Sequence, residues 1–104
     1  MRQGTTPTHS FTLPVPSSSV GEIYVSYNQN NSSLIEKSGD DISFTDMEDG
    51  SCVASVTLSQ TETLKLSPDS DCLIQIRFRT STGAAFASQI ISERVEKVLK
   101  GGEI

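Results

Sequence analysis

Turn-forming residues punctuate this chain at short, fairly regular intervals, and that spacing constrains its fold more than any other feature. The turns fall at Pro14 to Ser19, Asn28 to Ser33, Ser38-Gly39-Asp40, Asp46 to Ser51, Ser67 to Asp71 and Ser81-Thr82-Gly83. Between them lie short runs rich in β-branched and aromatic residues. Short β-rich runs at this spacing are the signature of a sandwich or barrel.

Side-chain alternation sets the face of each run. Strands are expected over Thr8 to Leu13, Glu22 to Asn28, Ser33 to Lys37, Asp41 to Thr45, Ser51 to Leu58 and Cys72 to Thr80. In the second, Ile23, Val25 and Tyr27 alternate with Glu22, Tyr24 and Ser26, so the first set faces the core. The third turns Leu34 or Ile35 inward, and the fourth places Ile42 and Phe44 on one face. Cys52, Ala54, Val56 and Leu58 share a face of the fifth. The clearest run is Cys72 to Thr80, with Cys72, Ile74, Ile76 and Phe78 on one side and Leu73, Gln75, Arg77 and Arg79 on the other. Asn28-Gln29-Asn30-Asn31 predicts a hairpin, and Thr82-Gly83 predicts another that leads into a seventh strand near Ala84 or Ala85.

Ser59-Gln60-Thr61-Glu62 matches a capping box, so one helical turn is expected over Gln60 to Lys65. Leu64 and Leu66 would plug the bottom of the core. The last segment carries two patterns. Ile91, Val95 and Leu99 fit both a strand and a helix stripe; Ser88 or Ser92 could cap that helix, and Gly101 could end it. The reading favours a strand through about Ser92, with a helical turn over Glu93 to Lys100. A strand, one helical turn and a long core strand followed by a hairpin is the E–F–G pattern of immunoglobulin-like sandwiches. The usual cysteine and tryptophan of antibody domains are missing. The expected fold is therefore an all-β, immunoglobulin-like or fibronectin-III-like antiparallel sandwich of about seven strands. Residues 8–100 form its single domain, after a flexible N-terminal arm at 1–7 and before a tail at 101–104.

Composition narrows the function. The chain has 104 residues, a net charge of −5 and a pI near 4.6. Acidity of this size argues against nucleic acid and anionic membranes as partners. No apolar run approaches the length of a membrane-spanning helix. Met1 to Pro7 lacks the apolar core of a secretion signal, so cytoplasmic synthesis is expected. Cys52 and Cys72 then read as reduced, buried thiols.

The residues offer little catalytic material. His9 is the single histidine, and the expectation for it is an exposed or edge-strand position rather than a Ser-His-Asp site. Cys-His catalysis would have to draw on Cys52 or Cys72, and both face the core. One histidine and two distant cysteines make a poor zinc set. Carboxylates cluster at Asp40-Asp41, at Asp46, Glu48 and Asp49, and at Asp69 and Asp71. They read as turn residues rather than a calcium loop. No phosphate-binding glycine loop is present, and no catalytic, metal or cofactor-binding residue is assigned. Asn30-Asn31-Ser32-Ser33 holds two glycosylation sequons, expected to be unused without secretion. Arg77 and Arg79 read as a solvated face, with a partner contact as the functional alternative. Tyr24 and Phe86 are the aromatic candidates for a sugar site.

Four stretches carry a family likeness. They are Arg2 to Pro14, Val25-Ser26-Tyr27-Asn28-Gln29, Val56 to Leu64 and Val98-Leu99-Lys100. Together they resemble short, uncharacterised proteins of phages and prophages of gut Firmicutes, with Asp46 to Gly50 as an expanded loop. The resemblance spans nearly the whole chain and carries no site residues. It implies a non-enzymatic structural or accessory module, of the tail or baseplate, that becomes a virion component. Its partners would be phage structural proteins or other copies of itself, and the Met1 to Pro7 arm is a candidate docking segment. The alternative reading is a small carbohydrate- or peptide-binding sandwich module.

Overall fold

A computed structural model describes residues 1–104. Eight strands and one short helix follow in the order β1 (Thr8–Leu13), β2 (Val20–Gln29), β3 (Ser32–Ser38), β4 (Ile42–Asp46), β5 (Cys52–Thr57), α1 (Gln60–Leu64), β6 (Ser70–Thr80), β7 (Ala85–Ala87) and β8 (Ile91–Val95). They form two antiparallel sheets. The smaller runs β1-β5-β4, and the larger runs β3-β2-β6 with β7 and β8 both paired to the far side of β6. The all-β sandwich expected from the turn spacing is the fold observed.

The alternation places the core where it was expected. Ile23, Val25 and Tyr27 of β2, Cys52, Ala54 and Val56 of β5, Leu58 just beyond it, and Cys72, Ile74, Ile76 and Phe78 of β6 are all buried between the sheets. Burying an aliphatic or aromatic side chain of this size contributes roughly 1.5–3 kcal/mol. Ile35, not Leu34, turns inward from β3. Leu66 is buried beneath the sandwich, whereas Leu64 is half-buried.

Local chemistry fixes the turns. Asn30 and Asn31 both have positive φ, 52° and 62°, as a two-residue hairpin turn that matches strand twist requires. Ser59 Oγ accepts from the Glu62 amide at 3.1 Å, and the Glu62 carboxylate accepts from the Ser59 amide at 2.9 Å. This is the reciprocal cap expected for α1. In the 3-10 turn Gly39–Asp41, which carries the chain from β3 to β4, the Asp41 carboxylate accepts from the Ser38 amide at 3.3 Å. Gly21 lies where β2 shifts register against β6, and a Cβ there would stand 3.1 Å from the Arg79 carbonyl oxygen.

Two expectations are corrected. First, the last segment holds two short strands and no helix, so the count is eight strands rather than seven. β6 is 11 residues long. Its far edge takes β7 beside Arg77 to Arg79 and β8 beside Ser70 to Ile74. Between them Ser88 closes the break, its amide donating to the Ile76 carbonyl and its hydroxyl accepting from the Ile76 amide. A helix from Glu93 would forfeit the β8 ladder.

Second, Met1 to Pro7 is no loose arm. Arg2 bridges in parallel to Glu96, Gln3 donates to the Leu66 carbonyl through its side chain, and Thr63 Oγ1 donates to the Thr5 carbonyl. Met1 packs against the core. The tail at 101–104 lies against α1, where Gln60 exchanges hydrogen bonds with the backbone of Ile104 and Thr61 donates to Glu103. Short polar segments find partners here because they lie beside backbone that neither sheet uses.

Candidate functional site

Three places hold the features that could carry function. The first is a polar cluster around His9. The residue sits on an edge strand, as expected, but its ring points inward on the face it shares with Phe11 and Leu13. Nδ1 lies 2.9 Å from the Tyr27 hydroxyl, and Nε2 lies 3.0 Å from Glu93 Oε2. A carboxylate only accepts, so Nε2 carries the proton to Glu93, and in the neutral ring Nδ1 accepts from Tyr27. Glu93 Oε1 also meets the Met1 ammonium at 2.9 Å.

Burial works against the Glu93 carboxylate, yet the bonds from the Met1 ammonium and His9 outweigh it and hold its pKa below the usual glutamate value. Burial raises the Tyr27 hydroxyl well above its ordinary pKa, helped by the negative charge of Glu93. The edge-strand position expected for His9 thus comes with a carboxylate partner, Glu93, that the sequence did not point to. Even so, both ring nitrogens are occupied and Tyr27 is fully buried. The arrangement joins β1 of one sheet to β2 and β8 of the other, which makes it a polar fastening across the core. The period-two pattern His9, Phe11, Leu13 was the signal that this ring faces inward.

Of the two thiols, Cys72 lies beside this cluster, opposite Glu93 in the β6–β8 ladder, and Cys52 lies in β5 of the other sheet. Cys52 and Cys72 are both free and buried. Burial pushes the Cys72 thiol up to about 11 and raises that of Cys52 as well. Thiols so protonated are poor nucleophiles. No group of three or more His, Cys, Asp or Glu side chains stands close enough together to hold a metal ion. Several of the clustered carboxylates cap turns instead. Asp46 accepts from the Ser17 amide and hydroxyl, and Asp49 from the Ser51 amide and hydroxyl. These bonds hold both acids below the usual aspartate pKa.

The second place is the outer face of the larger sheet. Tyr24, Asn28, Glu36, Gln75 and Arg77 line an open polar depression of about 480 Å³. Arg79 is engaged with Glu22 at 2.7 Å, whereas Arg77 makes no ion pair. The Asn28 Oδ1 atom is buried beside this depression without a hydrogen-bond partner.

The third place is a groove of about 430 Å³ along one flank of the sandwich, between β1 and the β7–β8 edge. Its floor is Phe11, Leu13, Ile76 and Phe78, and Phe86 and Ile91 form its rim. Phe86 lies opposite Phe78 in the ladder, and the rings stack at 5.0 Å with planes 14° apart. Ile91 lies opposite Ile74. Both rim residues thus point to the inner side of their sheet, yet they remain 40% and 47% exposed. Phe86, read from the sequence as a surface aromatic, belongs to this groove and not to the face that carries Tyr24.

No helix is long and apolar enough to cross a membrane. No family model, no curated protein and no solved structure matches this chain.

Proposed function

We propose that this chain is a non-enzymatic interaction module, a structural or accessory part of a phage or prophage particle that is made in the cytoplasm and built into the tail or baseplate. The observation that carries the interaction reading is the open flank, where inward-facing apolar residues stay exposed beside the unpaired edge of β1. Edges of this kind are normally blunted by charge, proline or a covering segment. The occupied nitrogens of His9 and the buried thiols support a non-catalytic role, and the net charge of −5 speaks against nucleic acid. The phage setting rests on the family likeness alone.

The strand order also supports a finer reading. An immunoglobulin-like sandwich places strands A, B, E and D in one sheet and C, F and G in the other, with C′ beside C in variable-type domains. Here β1, β5 and β4 take the places of B, E and D. β3, β2, β6 and the split β7–β8 take those of C′, C, F and G. On this reading the A position beside β1 is empty. The test of the phage role is mass spectrometry of particles purified from an induced lysogen that carries the gene. The chain at constant stoichiometry in the particles is the expected result, and a chain abundant in the lysate but absent from particles contradicts it.

A second reading, a carbohydrate- or peptide-binding module, is favoured by the polar depression with its unpartnered Asn28 oxygen and the half-exposed Tyr24 ring. A glycan and peptide array probed with the purified chain tests it. Binding that Arg77→Ala abolishes supports it, and an array without hits removes it.

A further inference from the structure

The open flank has a chemistry specific enough to name its occupant. β1 pairs only with β5. The Pro7 carbonyl accepts from the Leu58 amide at 3.0 Å, and the register continues Thr8 with Thr57, His9 with Val56, Ser10 with Ser55 and Phe11 with Ala54. Antiparallel ladders alternate hydrogen-bonded and non-bonded pairs. His9, Phe11 and Leu13 therefore spend their backbone groups on β5. The amides and carbonyls of Thr8, Ser10 and Thr12 point away, toward the free edge, and no protein group bonds to them.

That edge is its own complement. Laid antiparallel on a second copy about a twofold axis at Ser10, it sets Ser10 against Ser10 and Thr8 against Thr12. All the outward backbone groups then find partners, in three hydrogen-bonded pairs. The outward side chains are Thr, Ser and Thr, a sequence that reads the same in both directions and holds no charge. Cross-strand Thr and Ser pairs stabilise such ladders. A hydroxyl row already crosses the sheet here, with Thr8 Oγ1 2.7 Å from Thr57 Oγ1 and Ser10 Oγ 2.9 Å from Ser55 Oγ. The groove beneath supplies apolar surface to bury, since Phe86 and Ile91 lie exposed along it.

We infer that β1 is a homodimer interface, at which two copies join their smaller sheets edge to edge in a continuous six-stranded sheet and cover the Phe86–Ile91 grooves. Such an isologous contact closes on itself and needs no other partner. The inference goes beyond the phage reading and fails separately from it, because a chain can dimerise through β1 whether or not it enters a particle.

Sedimentation velocity on the purified full chain, from about 1 μM to 1 mM, tests it. The wild type is expected to convert from monomer to dimer across that range. Ser10→Lys and Ser10→Glu each place like charges face to face at the axis. Each is expected to weaken the dimer at least ~10-fold, with an unfolding midpoint matching that of the wild-type monomer because Ser10 is exposed. Mixing the two variants restores a mixed dimer, since residue 10 of one copy faces residue 10 of the other. A wild type that stays monomeric throughout overturns the inference and leaves the edge to a strand of a different protein. A dimer indifferent to both variants, or variants that fail to rescue one another, overturns the twofold β1 pairing.

Discussion

The two flanks of this sandwich are closed by different means, and only one of them is finished. On the flank formed by β3 and β4, the inward residues Ile35 and Ile42 are each only 5% exposed. The chain itself covers that side as it crosses through Gly39–Asp41. Glu36, Lys37, Asp40, Asp41 and Asp46 surround the edge with charge, and Lys37 reaches Glu62 of α1 at 2.8 Å. On the flank formed by β1 and β7–β8, the equivalent inward residues Phe86 and Ile91 are 40% and 47% exposed. Neither β1 nor β7 carries an acidic or basic side chain apart from His9, whose ring is turned inward, and the charges of this flank, Glu93 and Arg94, lie on β8 beyond Ile91. A charged rim protects a free strand edge from other chains, and an uncharged one invites them. The difference teaches that the sheet edges are not interchangeable loose ends. One is rimmed with charge over a covered core, and the other is left for association.

The largest effect that separates the flanks is on monomer stability. Ile42→Ala removes a buried side chain and is expected to cost about 2–5 kcal/mol. Ile91→Ala on the open flank is expected to cost no more than ~1 kcal/mol, because its side chain is already half in water. Urea unfolding of dilute protein measures both, and equal losses would erase the distinction. Next is the polar fastening that holds β1 to the larger sheet. Tyr27→Phe conserves the ring but strips the His9 ring of a hydrogen-bond partner, at an expected cost of about 1–3 kcal/mol. An unchanged urea midpoint would show that β1 is held by packing alone.

Acid is a gentler probe. Glu93 and Glu62 both sit below their ordinary pKa of 4.5 in the folded chain. At Glu62 burial opposes the shift, but the bonds from Lys37 and Ser59 prevail. The unfolded chain then binds more protons in the interval below 4.5, so stability is complete above that value and falls as pH drops through the folded pKa values. Glu93→Gln and Glu62→Gln each flatten this loss in a pH series of unfolding midpoints, and a profile unchanged by either substitution counts against the two pairings. The smallest effect belongs to the β2–β3 hairpin. Asn31→Gly relieves a positive φ and should stabilise by up to about 1 kcal/mol.

Most of the fold was legible because alternation and turn chemistry act locally. The inward faces of β2, β5 and β6, the Ser59–Glu62 cap and the Asn30-Asn31 turn each depend on residues a few positions apart. The misses depend on distant partners. Nothing near Met1 to Pro7 announces that Glu96, Leu66 and Thr63 will tie it down. Nothing near Glu93 announces that the edge of β6 will outbid a helix. The candidate sites divide in the same way. His9 shares its alternation with Phe11 and Leu13, so its inward aim was readable, but its partners Tyr27 and Glu93 lie 18 and 84 residues away. The open flank was not readable at all. It exists only once the order β1-β5-β4 leaves β1 outermost and the split between β7 and β8 exposes Phe86 and Ile91.

Hydrogen exchange, followed amide by amide along β1 as protein concentration rises, tests the contrast between the flanks most directly. In dilute solution the amides of His9, Phe11 and Leu13 should be protected and those of Thr8, Ser10 and Thr12 should exchange freely. At high concentration the second set should become protected while the outer amides of β3 and β4 do not change. Protection of Thr8, Ser10 and Thr12 at every dilution, or protection gained instead along β3 and β4, would contradict the account.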